Sequence, residues 1–599
     1  MDNYLKHKDR PPEETVSLIQ QILKDAGICP VLRWTGDRRS GLSSNRITIH
    51  PSTAGVNGKG TDEIYSKASG FGELMERIQN NFLLAAPISS DTIARPAFNI
   101  APDEGERSLD DILGDPDPFT RRIMSELEGE DRSADGRAYL ELFSYERDGK
   151  KYVKTIPFAD PARGRVVDVP LYMVRRLTGT NGMAAGNTLD EAMVQSLSEL
   201  FEREVNLMML EGIFTPPRIP DDAVRQYSFF ERIEEIRSDG RYDAELLDCS
   251  MGKGWPVVAL LIKDLENGTF GLRFGAHPSF PVAIERTLTE AAQGQSLMDF
   301  ARASRTGTLR ETTSSANQNM VTGLGAGVYP HSLFYGEPSW EFAPWTDFRG
   351  TTNGGFLKEM LRLLSKDGYE PLVRDSSFLG FPACCIVIPG FRTLIPVDGG
   401  EVRLRRTFLR ASQSADHFPD LTDEEAERLL RLLRYHESFF SFSLSNILFG
   451  VPLTDVHEYS NERIGAYFAL RLEDYSLAAR MFSKMTVSGN YVDDHSCLSC
   501  MKDYAVMRSE GLTHDQAAAV LRSTHVPDAA DRAVRDAANP AAAIAALLPK
   551  LPCPDCSSCR YRDNGCEYEV RRDIYVKICN SMRKENASQE ALLRHLENS

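Results

Sequence analysis

The chain is 599 residues long, with a formal net charge of −17, 42% hydrophobic and 26% charged residues. At roughly 150 residues per domain it has room for several domains and a sizeable core. Its apolar content excludes wholesale disorder, and its acidic balance argues against a protein whose main task is to coat nucleic acid. No apolar run approaches the ~18 residues of a membrane span, and the charged stretch 1–14 lacks the apolar segment of a secretory signal. The expected setting is therefore a reducing cytoplasm without membrane attachment, where closely spaced cysteines read as metal ligands or redox centres rather than disulfides.

In chain order, residues 1–56 form a lead-in with one amphipathic helix over 13–26, whose Val16, Ile19, Ile22 and Leu23 share a face. Residues 57–415 mix helical patterns with strand-like runs at 167–171, 256–263, 270–274 and 385–388. The acidic, Gly- and Pro-punctuated stretch 101–137 reads as a surface excursion. Strands and helices do not alternate regularly, so the fold class expected is α+β rather than a doubly wound sheet. From 420 the pattern becomes helical. Thr422 with Glu425 and Thr513 with Gln516 are capping boxes, and 463–472 and 475–485 read as paired helices. This gives a helical-repeat-like region over 420–490 and a Cys-rich helical region over 491–599.

Two segments share one pattern: Gly72-Glu73-Leu74-Met75-Glu76-Arg77 and Ser198-Glu199-Leu200-Phe201-Glu202-Arg203. On a helix each places two glutamates on one face, where like charges repel unless a cation holds them. A third helical stretch carries Glu285, Arg286 and Glu290. If the three converge, their carboxylates suit Mg²⁺, a hard cation that takes carboxylate and phosphate oxygens together, while Arg203 and Arg286 suit phosphate. Taken singly, such a segment is usually a solvated helix face with local ion pairs. No P-loop, H-E-x-x-H or G-x-S-x-G motif is present.

The string Asn181-Gly182-Met183-Ala184-Ala185-Gly186-Asn187-Thr188, followed by Glu191, Ala192 and the second glutamate segment, resembles the central signature of the YcaO family. So do Asn57-Gly58-Lys59-Gly60 with Ser69, Glu73 and Glu76 upstream, and Arg286-Thr287, Thr289-Glu290 and Gln293-Gly294 downstream. Arg10-Pro11-Pro12-Glu13-Glu14-Thr15 resembles the family's N-terminal element, and the likeness extends over about 8–415. The resemblance implies a YcaO-type ATP-binding fold without a Walker motif, followed here by a helical C-terminal extension. It also implies ATP-dependent activation of a backbone amide by phosphorylation of the carbonyl oxygen, giving an azoline, thioamide or amidine. Carried onto this chain, it makes Glu73, Glu76, Glu199, Glu202 and Glu290 the Mg²⁺ ligands. Lys8, Ser69, Asn187, Glu191, Gln195, Arg203 and Arg286 become ATP contacts, and Glu199, Glu202, Glu290 and Arg286 the catalytic group.

The C-terminus lacks the proline-rich tail of azoline-forming members. The phrases Phe274-Gly275-Ala276-His277-Pro278 and 283–290, with the helical extension, are similar instead to stand-alone bacterial members associated, as accessory factors, with methylthiolation of a small-subunit ribosomal protein. His277 reads either as a base or as a structural hydrogen-bonder. Of the 11 cysteines, only Cys29, Cys249, Cys384 and Cys385 precede residue 490; Cys497, Cys500, Cys553, Cys556, Cys559, Cys566 and Cys579 crowd behind it. Their C-x2-C spacings suit zinc or an iron-sulfur cluster, with buried or redox-active thiols as the alternatives. The expectation is an ATP- and Mg²⁺-dependent enzyme acting on a peptide or protein, as a homodimer, with a sulfur-transfer or methylthiotransferase partner. The competing expectation is a non-catalytic accessory factor that docks through its Cys-rich tail.

Overall fold

The structure, a computed structural model, describes residues 7–35, 43–84, 101–130, 136–141, 143–238, 240–292, 296–343, 352–394, 422–435, 461–487, 495–547 and 567–597. The chain divides into two compact units. The first holds residues 1–84, 96–398 and 572–599, the second 85–95 and 399–571.

The first unit opens on α1 (Pro12–Asp25), begun by a proline with Glu13 and Glu14 in the first turn and burying Val16, Ile19 and Leu23. Strands β1 (Cys29–Thr35), β2 (Ser43–His50) and β3 (Gly55–Gly60) follow as an antiparallel sheet in that order. The lead-in therefore contains strands as well as the expected helix. Asp62 caps α2 (Glu63–Gln79) by accepting from the Tyr65 amide at 2.9 Å. β3 lies flush on this helix: a Cβ at Gly58 would stand 2.3 Å from the Ser66 carbonyl oxygen, and one at Gly60 2.4 Å from the Ser66 nitrogen. Only glycine permits that approach, and it fixes the backbone of Lys59 between them.

A seven-stranded antiparallel sheet forms the centre. Its path runs β4 (Gly105–Ser108), β6 (Lys150–Asp160), β14 (Leu372–Asp375), β15 (Ala383–Val387), β8 (Met183–Ala185), with β5 (Ser144–Arg147) and β7 (Arg165–Pro170) also paired to β6. A second sheet has the order β11 (Thr269–Ala276), β10 (Val257–Asp264), β9 (Tyr242–Asp248). Between the two sheets runs α3 (Leu189–Leu210), packed on β8 and β15 on one side and on β10 and β11 on the other. Its Met193, Leu197, Phe201, Val205 and Met209 are fully buried. α4 (Phe280–Ala291) packs against β10 and β11, and α5 (Ser315–Leu324) against α3. The short strands β12 (Arg305–Gly307) and β13 (Val328–Pro330) pair in parallel.

The mixed architecture is α+β, as expected, and the strand-like runs of the sequence appear as β7, β10, β11 and β15. The acidic stretch is a correction. β4 joins the central sheet, and Leu109, Ile112, Phe119, Ile123 and Leu127 are buried. Spacings of three and four residues give the helices Leu109–Gly114 and Pro118–Glu130 an apolar face, while Asp110 and Asp111 occupy the first turn of the former.

In the second unit, helices Asp423–Tyr435, Asn461–Arg471, Tyr475–Val487, His495–Ser509, His514–Thr524, Pro527–Ala538 and Pro540–Leu547 surround a core that includes Ile464, Tyr467, Phe468, Phe482, Leu498 and Met501. Both capping boxes form. Among the described residues no helix is long and apolar enough to cross a membrane.

Residues 572–599 belong to the first unit, whereas the sequence pattern drew 491–599 as one region. α6 (Gln589–Glu597) packs on β6, β7 and β14 and buries Leu592 and Leu596 in the core that surrounds α3. The Gln589 amide pairs with the Asp375 backbone, accepting at 2.9 Å and donating at 2.8 Å. His595 meets Asp190, at the start of α3, at 2.6 Å. Leu592→Ala is expected to destabilise the first unit by about 2–5 kcal/mol, read as a lower denaturation midpoint; an unchanged midpoint contradicts this packing role.

Candidate functional site

α3 begins after a Thr188 N-cap whose hydroxyl accepts from the Glu191 amide at 3.1 Å. Glu191, Gln195, Glu199, Glu202, Arg203 and Asn206 then recur at steps of three and four residues, so they form one stripe on a helix otherwise immersed in core. At 1.5 Å per residue the stripe is roughly 22 Å long. It forms one wall of a cavity of about 950 Å³, also lined from β3, α2, β11, α4 and the end of α5. Lys8, Ser69, Glu73, Glu76, Asn187, Glu191, Gln195, Glu199, Glu202, Arg203, Arg286 and Glu290, every residue singled out for Mg²⁺ or ATP, all line this cavity.

At one end Glu191 is held on all sides. Lys8 approaches it at 3.1 Å, the Asp9 amide donates at 2.9 Å and Asn187 donates to both oxygens at 3.1 and 3.3 Å. Thr15 of α1 in turn donates to Asn187 at 2.7 Å. Burial would raise the Glu191 carboxyl, but Lys8, the Asp9 amide and Asn187 overcome it and hold the group below its ordinary value. Further along, Gln195 accepts from Arg286, which also donates to the Ala276 carbonyl at 2.7 Å.

The carboxylates lie in the middle. Glu73 and Glu76 share Arg77, at 3.4 and 2.8 Å, and Glu199 pairs with Arg203 at 3.4 Å. Glu290 pairs with Lys59. Burial raises Glu73, with Arg77 and Lys59 opposing, and raises Glu76 strongly, with Glu199 and Glu73 adding to the effect. Burial first and Glu290 second push Glu202 up to about 8. Glu290 itself is drawn below its ordinary value, because Lys59, Arg273 and Arg203 outweigh its burial. Glu76 Oε1 is buried and, although Arg77 is close, makes no well-formed hydrogen bond.

Among the described residues no group of three or more His, Cys, Asp or Glu side chains is arranged to hold a metal ion alone. The glutamates stand as pairs around the wall, which fits Mg²⁺, since that ion is ordinarily bound by one or two carboxylates plus substrate phosphates rather than by an all-protein cage. The carboxyls driven up by burial and mutual repulsion are likewise groups a divalent cation would relieve.

His277 is not part of this wall. It is buried, its Nδ1 accepts from the Ser279 amide at 2.9 Å, and burial with nearby Arg286 holds it well below its ordinary value, as a structural hydrogen-bonder. Cys497 and Cys500 are buried on the helix His495–Ser509 of the second unit, while Cys579 lies in the segment belonging to the first. Burial raises both the Cys500 and Cys579 thiols. Cys553, Cys556, Cys559 and Cys566 lie outside the described residues. The zinc or iron-sulfur reading gains no support from the cysteines that are described.

Lys59, Arg77 and Arg273 are cavity cations that were not assigned a role from sequence. Lys59 lay inside a quoted motif, and Arg77 repeats the position of Arg203 in the duplicated segment, so both were within reach. Arg273 had no local signal.

The chain matches the family model described as YcaO cyclodehydratase, ATP- and Mg²⁺-binding, over residues 57–392. It belongs to the YcaO family. A curated relative, the ribosomal protein S12 methylthiotransferase accessory factor YcaO of Escherichia coli, is 29% identical over 399 residues, 66% of this chain and 67% of the relative. An uncharacterised protein of Haemophilus influenzae is 30% identical over 345 residues, 57% of this chain and 58% of the relative. Among solved structures, YcaO from Methanopyrus kandleri bound with AMPPCP and Mg²⁺ aligns with a TM-score of 0.40 at 19% identity, covering 65% of this chain and 93% of that one. A heterocyclase in complex with substrate and cofactor aligns with a TM-score of 0.46 at 19% identity, covering 65% and 53%.

The raised Glu202 has a thermodynamic consequence. Folded, it keeps its proton up to about pH 8; unfolded, it releases it near 4.5. Between these values the unfolded chain binds fewer protons, so this group lowers stability as pH rises. Glu202→Gln should raise the melting temperature of the ligand-free protein at about pH 8 more than at about pH 5, and should abolish stabilisation by Mg²⁺ with ATP. Equal melting curves at both pH values would contradict the assignment.

Proposed function

We propose that this protein is an Mg²⁺- and ATP-dependent enzyme that activates a backbone amide of a peptide or protein in the cytoplasm, giving an azoline- or thioamide-type product. The observation that carries the reading is the convergence of Glu73, Glu76, Glu199, Glu202 and Glu290 with Lys59, Arg77, Arg203, Arg273 and Arg286 on one cavity. In the reaction, a thiol, hydroxyl or sulfide adds to the amide carbonyl carbon and gives its proton to solvent. The carbonyl oxygen takes the γ-phosphoryl group as the bond to ADP breaks, and phosphate then leaves with that oxygen as the amide nitrogen, or for sulfide the added sulfur, gives up its remaining proton to solvent. Bound Mg²⁺ supplies charge neutralisation on the phosphate oxygens.

The protein's share is positioning and electrostatics, which suffices for phosphoryl transfer without a covalent protein intermediate. Arg203 and Arg286 are braced against the Thr322 and Ala276 carbonyls, at 2.5 and 2.7 Å, so they meet phosphate without reorganising. Asn187 and Glu191 hold Lys8 over the other end of the stripe.

The purified full chain is expected to bind a non-hydrolysable ATP analogue with Mg²⁺ and to release phosphate when given a substrate peptide. Glu199→Gln should cut phosphate release on the order of a hundredfold. A peptide losing the mass of one water identifies azoline formation, and one exchanging oxygen for sulfur identifies thioamide formation. Absence of nucleotide binding would overturn the reading.

The E. coli relative's name favours a second reading, a non-catalytic accessory factor for a methylthiotransferase that docks through the second unit. On that reading Glu199→Gln leaves methylthiotransferase stimulation intact, whereas deleting 461–547 abolishes it; the reverse pattern supports the enzyme.

A further inference from the structure

Apart from Arg10, which is exposed, the cations of the cavity wall are almost all committed. Lys59, Arg77 and Arg286 have the partners given above, and Arg203 spends its terminal nitrogens on Glu199 and the Thr322 carbonyl. Arg273, on β11, differs. It makes no hydrogen bond and no ion pair with a described residue, its Nε is buried without a partner, and its guanidinium stacks 5.6 Å above the ring of fully buried Phe300.

Its position is built by its neighbours. Gly325 ends α5 in the left-handed conformation, φ +66°, and a Cβ there would stand 1.9 Å from Arg273 Nη1. Glycine is thus required both for the helix end and for the space the guanidinium fills. Arg203 reaches the same turn through Thr322, and its own Nε is buried without a partner. One helical turn along α3, Asn206 accepts from the buried Tyr329 hydroxyl at 3.3 Å through Oδ1, which leaves its amide Nδ2 as a donor. Glu290 feels both Arg203 and Arg273, and Tyr329 touches Asn206 and feels Arg273, so the three donors gather at one end of the cavity, beyond Glu202 and Glu290.

An uncommitted, half-buried guanidinium held by packing beside two further donors is an oxyanion site. We infer that Arg273, with Arg203 and Asn206, forms the subsite that holds the phosphoryl group as it passes from the nucleotide to the substrate oxygen. The inference rests on the ATP-dependent reading above and adds the acceptor end of that site. Arg273 holds phosphoryl oxygens that are free of ADP, so its contribution is to the group in transfer and not to the nucleoside diphosphate.

Titration calorimetry of the full chain with Mg²⁺ and ADP, without and with aluminium fluoride as mimic of the phosphoryl group, separates the possibilities. In the wild type, aluminium fluoride should tighten ADP binding about tenfold or more, the worth of one charge-assisted hydrogen bond. Arg273→Met should keep ADP affinity within about twofold and lose the tightening. Asn206→Asp, isosteric and still able to accept from Tyr329, should lose it by repulsion and serves where the methionine variant does not fold. Undiminished tightening in a folded variant, or an equal loss of ADP affinity, overturns the inference. A wild type that binds ADP without tightening overturns this subsite alone; one that binds no ADP overturns the ATP reading and the subsite with it.

Discussion

Mutual repulsion among desolvated carboxylates is the constraint around which the first unit is organised. Glu73, Glu76 and Glu202 each sense Glu199, and Glu202 also senses Glu290. The duplicated segment supplies its own partial answer, since each Glu-x-x-Glu pair carries an arginine that reaches back to it. Two such units still leave an excess of negative charge. Lys59 takes Glu290, while burial first, and repulsion from neighbouring glutamates second, leave Glu76 and Glu202 retaining their protons above the ordinary range. Buried charge left uncompensated costs several kcal/mol per ion in proteins, so the ligand-free cavity is a strained arrangement that a divalent cation relieves. Affinity for the cation and instability without it are two sides of one arrangement.

Such strain persists only if the backbone cannot relax away from it, and the surrounding packing supplies that rigidity. α3 has sheets on both sides, so its polar stripe cannot rotate toward solvent without exposing Leu197, Phe201 and Val205. α2 is fixed from both flanks. β3 presses glycines against its backbone, and Gln79 near its end donates to the Phe381 carbonyl and accepts from the Leu379 amide, each at 2.7 Å. The carboxylates therefore face one another by virtue of the core, while the core derives nothing from them. That division lets the site be optimised for charge at the expense of its own stability.

Much of this was legible in the sequence because the informative features are local. Helical spacing put Glu73 with Glu76 and Glu199 with Glu202, and the ordered motifs brought the same residues to one cavity in the structure. The capping boxes at Thr422 and Thr513 were local for the same reason. What escaped depends on partners distant in sequence. Arg273 is one inward residue among alternating positions on β11, and its role is set by Gly325 and Phe300, which only the tertiary fold brings to it. Strands β1 and β2 carry buried polar residues, Ser44 bonded to Thr35 across the pair and Asn45 donating to Ser66 of α2, so their pattern resembles a loop. In the acidic stretch, charge density concealed the spacing of Phe119, Ile123 and Leu127.

The tail shows the same dependence at its longest range. Composition alone joins 491–599 into one Cys-rich region, yet α6 completes the first unit through contacts made across most of the chain. Asp375 and Gln589 are 214 positions apart, and Asp190 and His595 are 405 apart. The second unit is therefore largely an insertion into the first, entered at 399 and left at 571. Contacts of such separation carry a loop-closure cost unless the intervening chain is already compact. The second unit, with its own core around Phe468, Phe482 and Leu498, supplies that compaction. On this argument the start of α3, where Asp190 adjoins Glu191 and the Lys8 end of the cavity, receives its last support only after residue 595 has been made. The cysteine-bearing insertion and the nucleotide cavity are thus linked by chain topology.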